Sequence, residues 1–180
     1  MPLQLWVDFV LVWFILFPAY AANAVPVLVG GKRPLDFGKG LGKNRILGDG
    51  KTIEGTALGI AAGFLVGALE YYVMPALQGY AAQYNVLLPQ ITLPLALAIA
   101  AGTMCGDILG SFFKRRMGIE RGGKEPLLDR LGFIIFAMIF AYPFIQITPA
   151  MAVYMIAITY VIHRAANFVA YNAKLKTVPW

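Results

Sequence analysis

The chain has 180 residues, of which 59% are hydrophobic and only 13% are charged, and its formal net charge is +6. Soluble domains usually have about 25% charged residues, so this composition excludes an ordinary soluble protein and indicates an integral membrane protein. The lone Cys105 excludes an intramolecular disulfide and is typical of a small residue packed in a core.

Five apolar segments approach the roughly 20 residues that a helix needs to cross a hydrocarbon layer about 30 Å thick. They cover residues 3–29, 56–77, 91–110, 131–147 and 150–171. We therefore predict an all-α integral membrane protein with five transmembrane helices, in one membrane-embedded domain over residues 1–180. The first segment is too long for a cleavable signal peptide and lacks a basic start, so we expect it to remain as a helix.

The basic residues predict the orientation of the chain. All fifteen Lys and Arg residues lie in a first loop (30–55), in a second loop (111–130) or near the carboxyl terminus, whereas the segment 78–90 contains none. Cytoplasmic loops collect Lys and Arg. We therefore predict an amino terminus outside, a cytoplasmic carboxyl terminus and two functional cytoplasmic loops. Attraction to anionic lipid headgroups explains many of these charges equally well.

The first loop has the composition of a phosphate-binding segment. Its sequence GGKRPLDFGKGLGKNRILGDGKT sets seven glycines among basic residues, which brings backbone N–H groups and Lys side chains together. It is not a nucleotide-binding P-loop, because Arg45 replaces the first glycine of that motif and no predicted strand precedes it. Lys51 and Thr52 are candidate phosphate ligands. We expect Glu54 to brace the loop through a basic partner, and Asp49 is open between loop capping and a role in the site.

The stretch GDILGSFFKRRMGIERG leads from the third span into the second loop. Helical spacing places Asp107, Ser111 and Lys114 on one face, at i, i+4 and i+7. A carboxylate inside or at the rim of the membrane is costly and therefore suggests a functional site. The alternative is that Asp107 forms an ion pair with a basic neighbour.

Asp129 and Arg130, in PLLDRLGF, begin the fourth span on the same side of the membrane. Two carboxylates that converge beside phosphate-binding cations suggest Mg²⁺ shared between the protein and substrate phosphates. We therefore predict that Asp107 and Asp129 bind Mg²⁺. No His or Cys cluster is present in the sequence, so a zinc site is not expected.

Polar residues also interrupt the first and fifth spans. Asn23, near the inner end of the first span, is expected to face the same cavity. His163 and Asn167 share one helix face, and with Arg164 they are assigned to the lipid phosphate or to a layer around the site, although a lone membrane histidine more often packs than catalyses. Asp8, near the outer face, is expected to be solvated.

These motifs carry a resemblance to a known family. Ser111, Lys114 and Arg115 followed by Asp129-Arg130 resemble the signature of the membrane CTP:phosphatidate cytidylyltransferases, and the KTIEG segment that starts at Lys51 is similar to one that opens a span in that family. The chain is most similar to its short archaeal branch, the CDP-archaeol synthases, through five stretches in order: NAVPVLVGGKRPLDFGKG, RILGDGKT, GDILGSFFKRRMGIERG, PLLDRL and KLKTVPW.

The resemblance implies a reaction at the cytoplasmic face of the cell membrane. A lipid phosphate, here the bis-O-geranylgeranyl ether of glycerol phosphate (unsaturated archaetidic acid), attacks the α-phosphorus of CTP to give CDP-archaeol and diphosphate. Asp107 and Asp129 hold Mg²⁺ in this interpretation. The groups that would contact CTP or its phosphates are Asn23, Lys51, Thr52, Ser111, Lys114 and Arg115, and Arg130 joins the lipid-phosphate set.

The chain departs from the bacterial signature at three places. A His-Gly-Gly before the Asp-Arg pair is replaced by GGKEPLL, which contains Lys124; Gly132 stands where a further Asp is expected; and Glu120-Arg121 replaces a Lys-Asp pair. No role is carried over to these positions.

Three other interpretations stay open at the level of sequence. A cytidylyltransferase could act on diacyl phosphatidate, because an apolar pocket would accept either chain type. A small ion transporter would distribute its charges through the membrane depth, whereas these gather at one face. A structural subunit gives no reason for two aspartates beside a lysine-rich glycine loop. No nucleic-acid partner is expected, and homodimer formation is open.

Overall fold

The computed structural model describes residues 2–119, 128–172 and 174, and its description of side chains leaves out residues 2–4, 128–130 and 170. Five α-helices and one short antiparallel hairpin make up this part of the chain. They are α1 (Pro2–Val29), β1 (Gly40–Leu41), β2 (Asn44–Arg45), α2 (Ile53–Ala82), α3 (Leu93–Arg116), α4 (Leu128–Ala141) and α5 (Pro149–Asn172). The segment between α1 and α2, residues 30–52, is called loop one below.

Four of the five predicted spans are helices long and apolar enough to cross a membrane. The span predicted over 131–147 corresponds to α4, which has 14 residues and ends at Ala141. Pro143 explains the early end, because the residue before a proline is disfavoured in helical conformation, and a turn follows at 142–144. At 1.5 Å per residue α4 is about 21 Å long, which is shorter than a hydrocarbon core, so five complete spans are not confirmed.

A stripe of glycines lets α2 lie against α1 and α3 with their backbones close together. Gly55, Gly59, Gly63 and Gly67 recur every four residues and are buried. A Cβ atom on Gly63 would lie 2.8 Å from both the carbonyl oxygen of Pro18 in α1 and the Cβ of Ala100 in α3. Small residues at such spacing are the usual means of close helix packing in membranes.

Helices α3 and α4 meet in the same way on the opposite side of α3. A Cβ atom on Gly102 would contact the carbonyl oxygen of Phe136, and one on Gly106 would contact that of Gly132. Because the two helices run antiparallel, moving one residue forward in α4 corresponds to moving one residue back in α3. This register sets the depth of every residue at the start of α4.

Helix α5 is fastened to α1 through side chains. Thr148 Oγ1 donates a hydrogen bond to Asp8 Oδ2 at 2.9 Å and accepts one from Met151 N, so it also caps α5. Further along, Tyr20 and Thr159 share a hydrogen bond of 3.0 Å between their hydroxyl groups. The expectation that Asp8 is solvated is therefore wrong: Asp8 is buried, because the connection before α5 folds over it.

We predict that Gly63→Ala lowers the free energy of unfolding by about 1–3 kcal/mol, the usual cost of inserting atoms into a packed interior. Gly79→Ala, in the same helix, is the matched control, because no atom lies within 4 Å of a Cβ placed there, and alanine is the better helix former. Thermal unfolding in detergent measures both variants. Equal loss in the two variants, or no loss at Gly63, would contradict the proposed packing.

Candidate active site

An ion pair joins loop one to α3 where the predicted site residues meet. Lys51 Nζ lies 2.5 Å from Asp107 Oδ2, although the residues are 56 positions apart in sequence. Both side chains are about three-quarters buried. The sequence left open whether Asp107 binds metal or pairs with a basic neighbour, and in this structure it pairs with Lys51. A cation and a carboxylate predicted to act on one substrate are thus in direct contact.

The α3 side of the site continues the face that packs on α2. Ala96, Ala100 and Met104 contact the glycine stripe, and Asp107 and Ser111 follow at helical spacing on the same face. Ser111 is buried one turn beyond Asp107. Helix α3 runs to Arg116, past the end predicted at residue 110, so Lys114 lies in its last turn. The predicted stripe from Asp107 to Lys114 is therefore carried by one continuous helix.

The amino-terminal end of α2 forms the opposite wall. Thr52 is the N-cap residue: its Oγ1 accepts a hydrogen bond from Gly55 N at 3.1 Å, and its side chain is buried. Glu54 in the first turn binds Arg33, with Arg33 Nε 2.7 Å from Glu54 Oε1 and Arg33 N 3.2 Å from Oε2. The expectation that Glu54 braces the loop through a basic partner is confirmed. This bridge ties the start of loop one to the helix that follows it.

Asp36 organises the interior of loop one, and the sequence reasoning did not single it out. Its carboxylate accepts hydrogen bonds from Gly38 N, Leu47 N and Gly48 N at 3.0–3.1 Å, and from the Arg45 guanidinium at 2.6 and 3.2 Å. The Arg45 guanidinium holds the pKa of Asp36 well below its usual range, and the three backbone N–H groups add to this effect, while burial opposes it. The Asp-Phe-Gly sequence is a signal for such a turn.

Arg45 also pairs with Asp49, whose carboxylate is 2.9 Å from Arg45 Nη1 and largely exposed. Asp49 thus forms an ion pair within loop one. Leu35 N donates to Lys51 O at 2.7 Å, and Ile53 N donates to Arg33 O at 3.0 Å. These bonds close loop one on itself and fix the backbone of Lys51 beside the start of α2.

Arg115 connects loop one with the segment after α3. Its Nε donates to Leu47 O at 3.3 Å, and its Nη1 donates to Ile119 O. The guanidinium packs over Gly48, which has a φ of +86° and would place a Cβ atom 3.1 Å from Arg115 Nε. Arg115 thus uses backbone carbonyl groups as partners here; its predicted contact with phosphate stays a prediction.

Asp129 and Arg130 lie in the first turn of α4, but their side chains are outside the described residues, as is Lys124 of the second predicted loop. The register between α3 and α4 places residue 129 level with Leu109, between Asp107 and Ser111. The backbone therefore brings the second predicted metal ligand to the same depth as the first.

Asn23 of α1 and His163 of α5 lie at a depth similar to that of Asp107 in α3. His163 Nδ1 and Asn167 Nδ2 are 3.1 Å apart, so the predicted shared face is confirmed. The two hydrogen bonds between α1 and α5 join residues 140 and 139 positions apart, which places His163 level with Asn23. Ala22 and Met104 both meet Gly59, so Asn23 is level with Cys105. Arg164 is exposed, on a different face from His163.

The carboxylates suit a cation that takes most of its ligands from substrate. Among the described side chains, no group of three or more His, Cys, Asp or Glu residues could enclose a metal. Mg²⁺ is commonly bound through one or two carboxylates, with substrate phosphates and water as its other ligands. Asp107 and the nearby residue 129 fit this pattern. A zinc site would instead need a tetrahedral set of ligands, usually His nitrogen and Cys sulfur atoms.

The helices and this site define a multi-pass membrane protein with a polar centre at one end of its bundle. Residues 4–180 match the model of the CarS-like family, described as CDP-archaeol synthase. The CDP-archaeol synthase of Thermococcus gammatolerans is 46% identical over 93% of this chain and 94% of its own. That of Methanococcus maripaludis is 41% identical over 94% of each chain.

A solved structure is similar as well, with a TM-score of 0.71 and 41% sequence identity over 86% of this chain and 90% of the other. It is described as an intramembrane enzyme for archaeal membrane lipids biosynthesis. The chain belongs to the CDP-archaeol synthase family. The family resemblance drawn from the sequence motifs is thereby confirmed.

We predict that Asp36→Asn lowers the local stability of loop one by about 1–3 kcal/mol, because buried donors lose a charged acceptor. Asp49→Asn, which removes an exposed carboxylate from the same Arg45, should cost about 0–1 kcal/mol. Amide hydrogen exchange of residues 45–51 measures both changes. The prediction fails if the two variants lose the same protection.

The pKa of Asp36 sets the pH dependence of this stabilisation. A carboxylate whose folded pKa is depressed contributes fully above its unfolded pKa, about 4, and its contribution is lost progressively as the pH falls from there to the lower folded pKa. Protection factors of residues 45–51 should therefore be constant from about pH 5 to 8 and fall progressively below about pH 4.

Proposed function

We propose that this protein is a CTP-dependent cytidylyltransferase that converts unsaturated archaetidic acid, the bis-O-geranylgeranyl ether of glycerol phosphate, and CTP to CDP-archaeol and diphosphate. The single observation that carries this proposal is the Lys51–Asp107 contact, which places a cation and a carboxylate together at the end of the glycine-rich loop one. The names of the relatives supply the substrate class.

The proposed reaction needs no protein nucleophile. An oxygen of the lipid phosphate, already anionic near neutral pH, forms a bond to the α-phosphorus of CTP, the bond from that phosphorus to the bridging oxygen breaks, and diphosphate leaves. Catalysis then depends on alignment and on neutralising charge on the phosphates. Lys51, Lys114 and Arg115 supply positive charge in this proposal, and Ser111 and Thr52 donate hydrogen bonds from their hydroxyl groups.

Asp107 and Asp129 are proposed to hold Mg²⁺, which would neutralise phosphate charge and orient the two substrates when bound. On substrate binding, the Lys51 ammonium would leave the Asp107 carboxylate for a substrate phosphate. Asp107 would then have Mg²⁺ as its charged neighbour in place of Lys51. Neither group is then left buried and unpaired, a state that would cost several kcal/mol. The ion pair keeps both side chains oriented toward the place where the substrate phosphates would lie.

The lipid phosphate is assigned to the inner ends of α1 and α5. His163 and Asn167 form a hydrogen-bonded pair level with Asn23, and Arg164 and Arg130 are the cations proposed to contact the lipid headgroup. The distribution of basic residues supports an amino terminus outside and a site that faces the cytoplasm. In this arrangement CTP enters from the cytoplasm and the lipid from the membrane, within one domain over residues 1–180.

The activity is tested with purified protein, labelled CTP, Mg²⁺ and unsaturated archaetidic acid. We expect labelled CDP-lipid from the wild type and none after chelation of Mg²⁺. Asp107→Asn should lower kcat/KM by about 100-fold or more, because one metal ligand is lost, whereas Asp49→Asn should remain close to the wild type. An inactive wild type would sink the enzymatic proposal, and an active Asp107→Asn variant would sink only the metal assignment.

The lipid class is tested by competition between the ether-linked isoprenoid phosphate and a diacyl phosphatidate of similar length. We expect a higher kcat/KM for the isoprenoid ether, as the relatives' names indicate. Equal consumption of the two lipids would favour a cytidylyltransferase that accepts either chain type.

A further inference from the structure

We propose that Arg116 is a positioning residue that holds Lys51 in place by docking the β1–β2 hairpin of loop one onto α3. This inference rests on the proposed function for its kinetic readout, and on the hydrogen bonds of the described residues for its geometry. Of the three consecutive basic residues at the end of α3, Lys114 and Arg115 are proposed for phosphate. Arg115 also contacts loop one at Leu47, whereas Arg116 contacts the hairpin.

The Arg116 guanidinium binds both strands of the hairpin. Its Nη1 donates to Leu41 O at 2.7 Å, and its Nη2 donates to Arg45 O at 2.7 Å and lies 3.5 Å from Asn44 O. Its Cζ lies 5.4 Å from the centre of the Phe112 ring, one turn earlier on α3. Such a planar fork matches several fixed acceptors at once, which a lysine ammonium does not.

The hairpin returns one bond to the helix. Asn44 Nδ2 donates to Arg115 O at 2.9 Å at the end of α3, and Gly118 N donates to the same carbonyl oxygen at 3.2 Å. The turn between the strands is Gly42-Lys43, with Gly42 at a φ of +65°, as expected for a two-residue hairpin with glycine first. The hairpin is therefore a short element whose two strands both bind the end of α3.

The docked hairpin is connected to Lys51 by fixed contacts. Asp36 joins Arg45 of β2 to the amides of Leu47 and Gly48, and Lys51 N donates to Gly48 O at 3.4 Å. Helix α3 carries Arg116 and, nine residues earlier and about 13 Å away, Asp107. Loop one thus contacts α3 through Arg116 at the hairpin, through Arg115 at Leu47 and through Lys51 at Asp107. In this proposal the contacts of Arg116 with the hairpin set the approach of Lys51.

The test uses Arg116→Lys in the full-length protein, with Lys43→Ala as the control, because Lys43 is an exposed basic residue at the turn of the same hairpin. We expect the KM for CTP to rise on the order of 10- to 100-fold in Arg116→Lys, as a displaced binding group would cause, with the KM for the lipid unchanged. Lys43→Ala should change neither. A general loss of folded enzyme would lower kcat and leave the KM for CTP unchanged.

A double-mutant cycle separates positioning from structural damage. If Arg116 acts through Lys51, adding Arg116→Lys to Lys51→Met should produce little further change in kcat/KM for CTP. Additive losses, or an unchanged KM for CTP in Arg116→Lys, would overturn the proposal. If Arg116→Lys folds poorly, Asn44→Ala removes the return bond alone and should raise the KM for CTP by a smaller factor.

Amide hydrogen exchange provides a readout that does not depend on activity. Arg116→Lys should reduce the protection of residues 46–51 relative to the wild type and Lys43→Ala. Unchanged protection would overturn the docking role whatever the activity. A wild type inactive with CTP would instead overturn the proposed function, while reduced protection in Arg116→Lys would still support the docking of the hairpin by Arg116.

Discussion

The close approach of α2 to α1 and α3 is the constraint on which the rest of the molecule depends. Lipid chains are as apolar as the side chains of these helices, so packing rather than hydrophobic burial must hold them together. The glycine stripe meets this requirement, because backbone atoms of α1 and side chains of α3 occupy the space that Cβ atoms would take. The same contact fixes the depth of Asp107 relative to the start of α2, where Lys51 lies.

Loop one is ordered by charged and backbone groups rather than by an apolar core. Asp36 lies at its centre, Arg33–Glu54 closes it toward α2, and the α3 arginines close it toward α3. Backbone carbonyl groups of loop one accept hydrogen bonds from Arg115 and Arg116, so the positive charge of these two residues is already paired with backbone dipoles. Lys51 differs from Arg115 and Arg116, because its partner is a carboxylate that the proposed chemistry also requires.

The sequence predicted those features that depend on local periodicity. Apolar length located the helices, helical spacing placed Asp107 and Ser111 on one face, and the acidic residue at the start of α2 was correctly expected to pair with a basic residue. Features that depend on the path of the chain were missed. Asp36 is recognisable as central only when Arg45 and Leu47 fold back over it, and Asp8 is buried by Thr148, 140 positions away. The early end of α4 reflects Pro143, whose effect on the preceding residue is local.

The fastening of α5 has a consequence for how a lipid could reach the centre. Helices α1 to α4 meet through glycines at near-backbone distance, so they resist separation as a block. Helix α5 is joined to α1 by hydroxyl and carboxylate hydrogen bonds near Asp8 and Tyr20, and beyond Thr159 nearly all of its side chains face outward. In the proposed reaction, a lipid that reaches the site beside the inner half of α5 would not have to separate the glycine-packed helices.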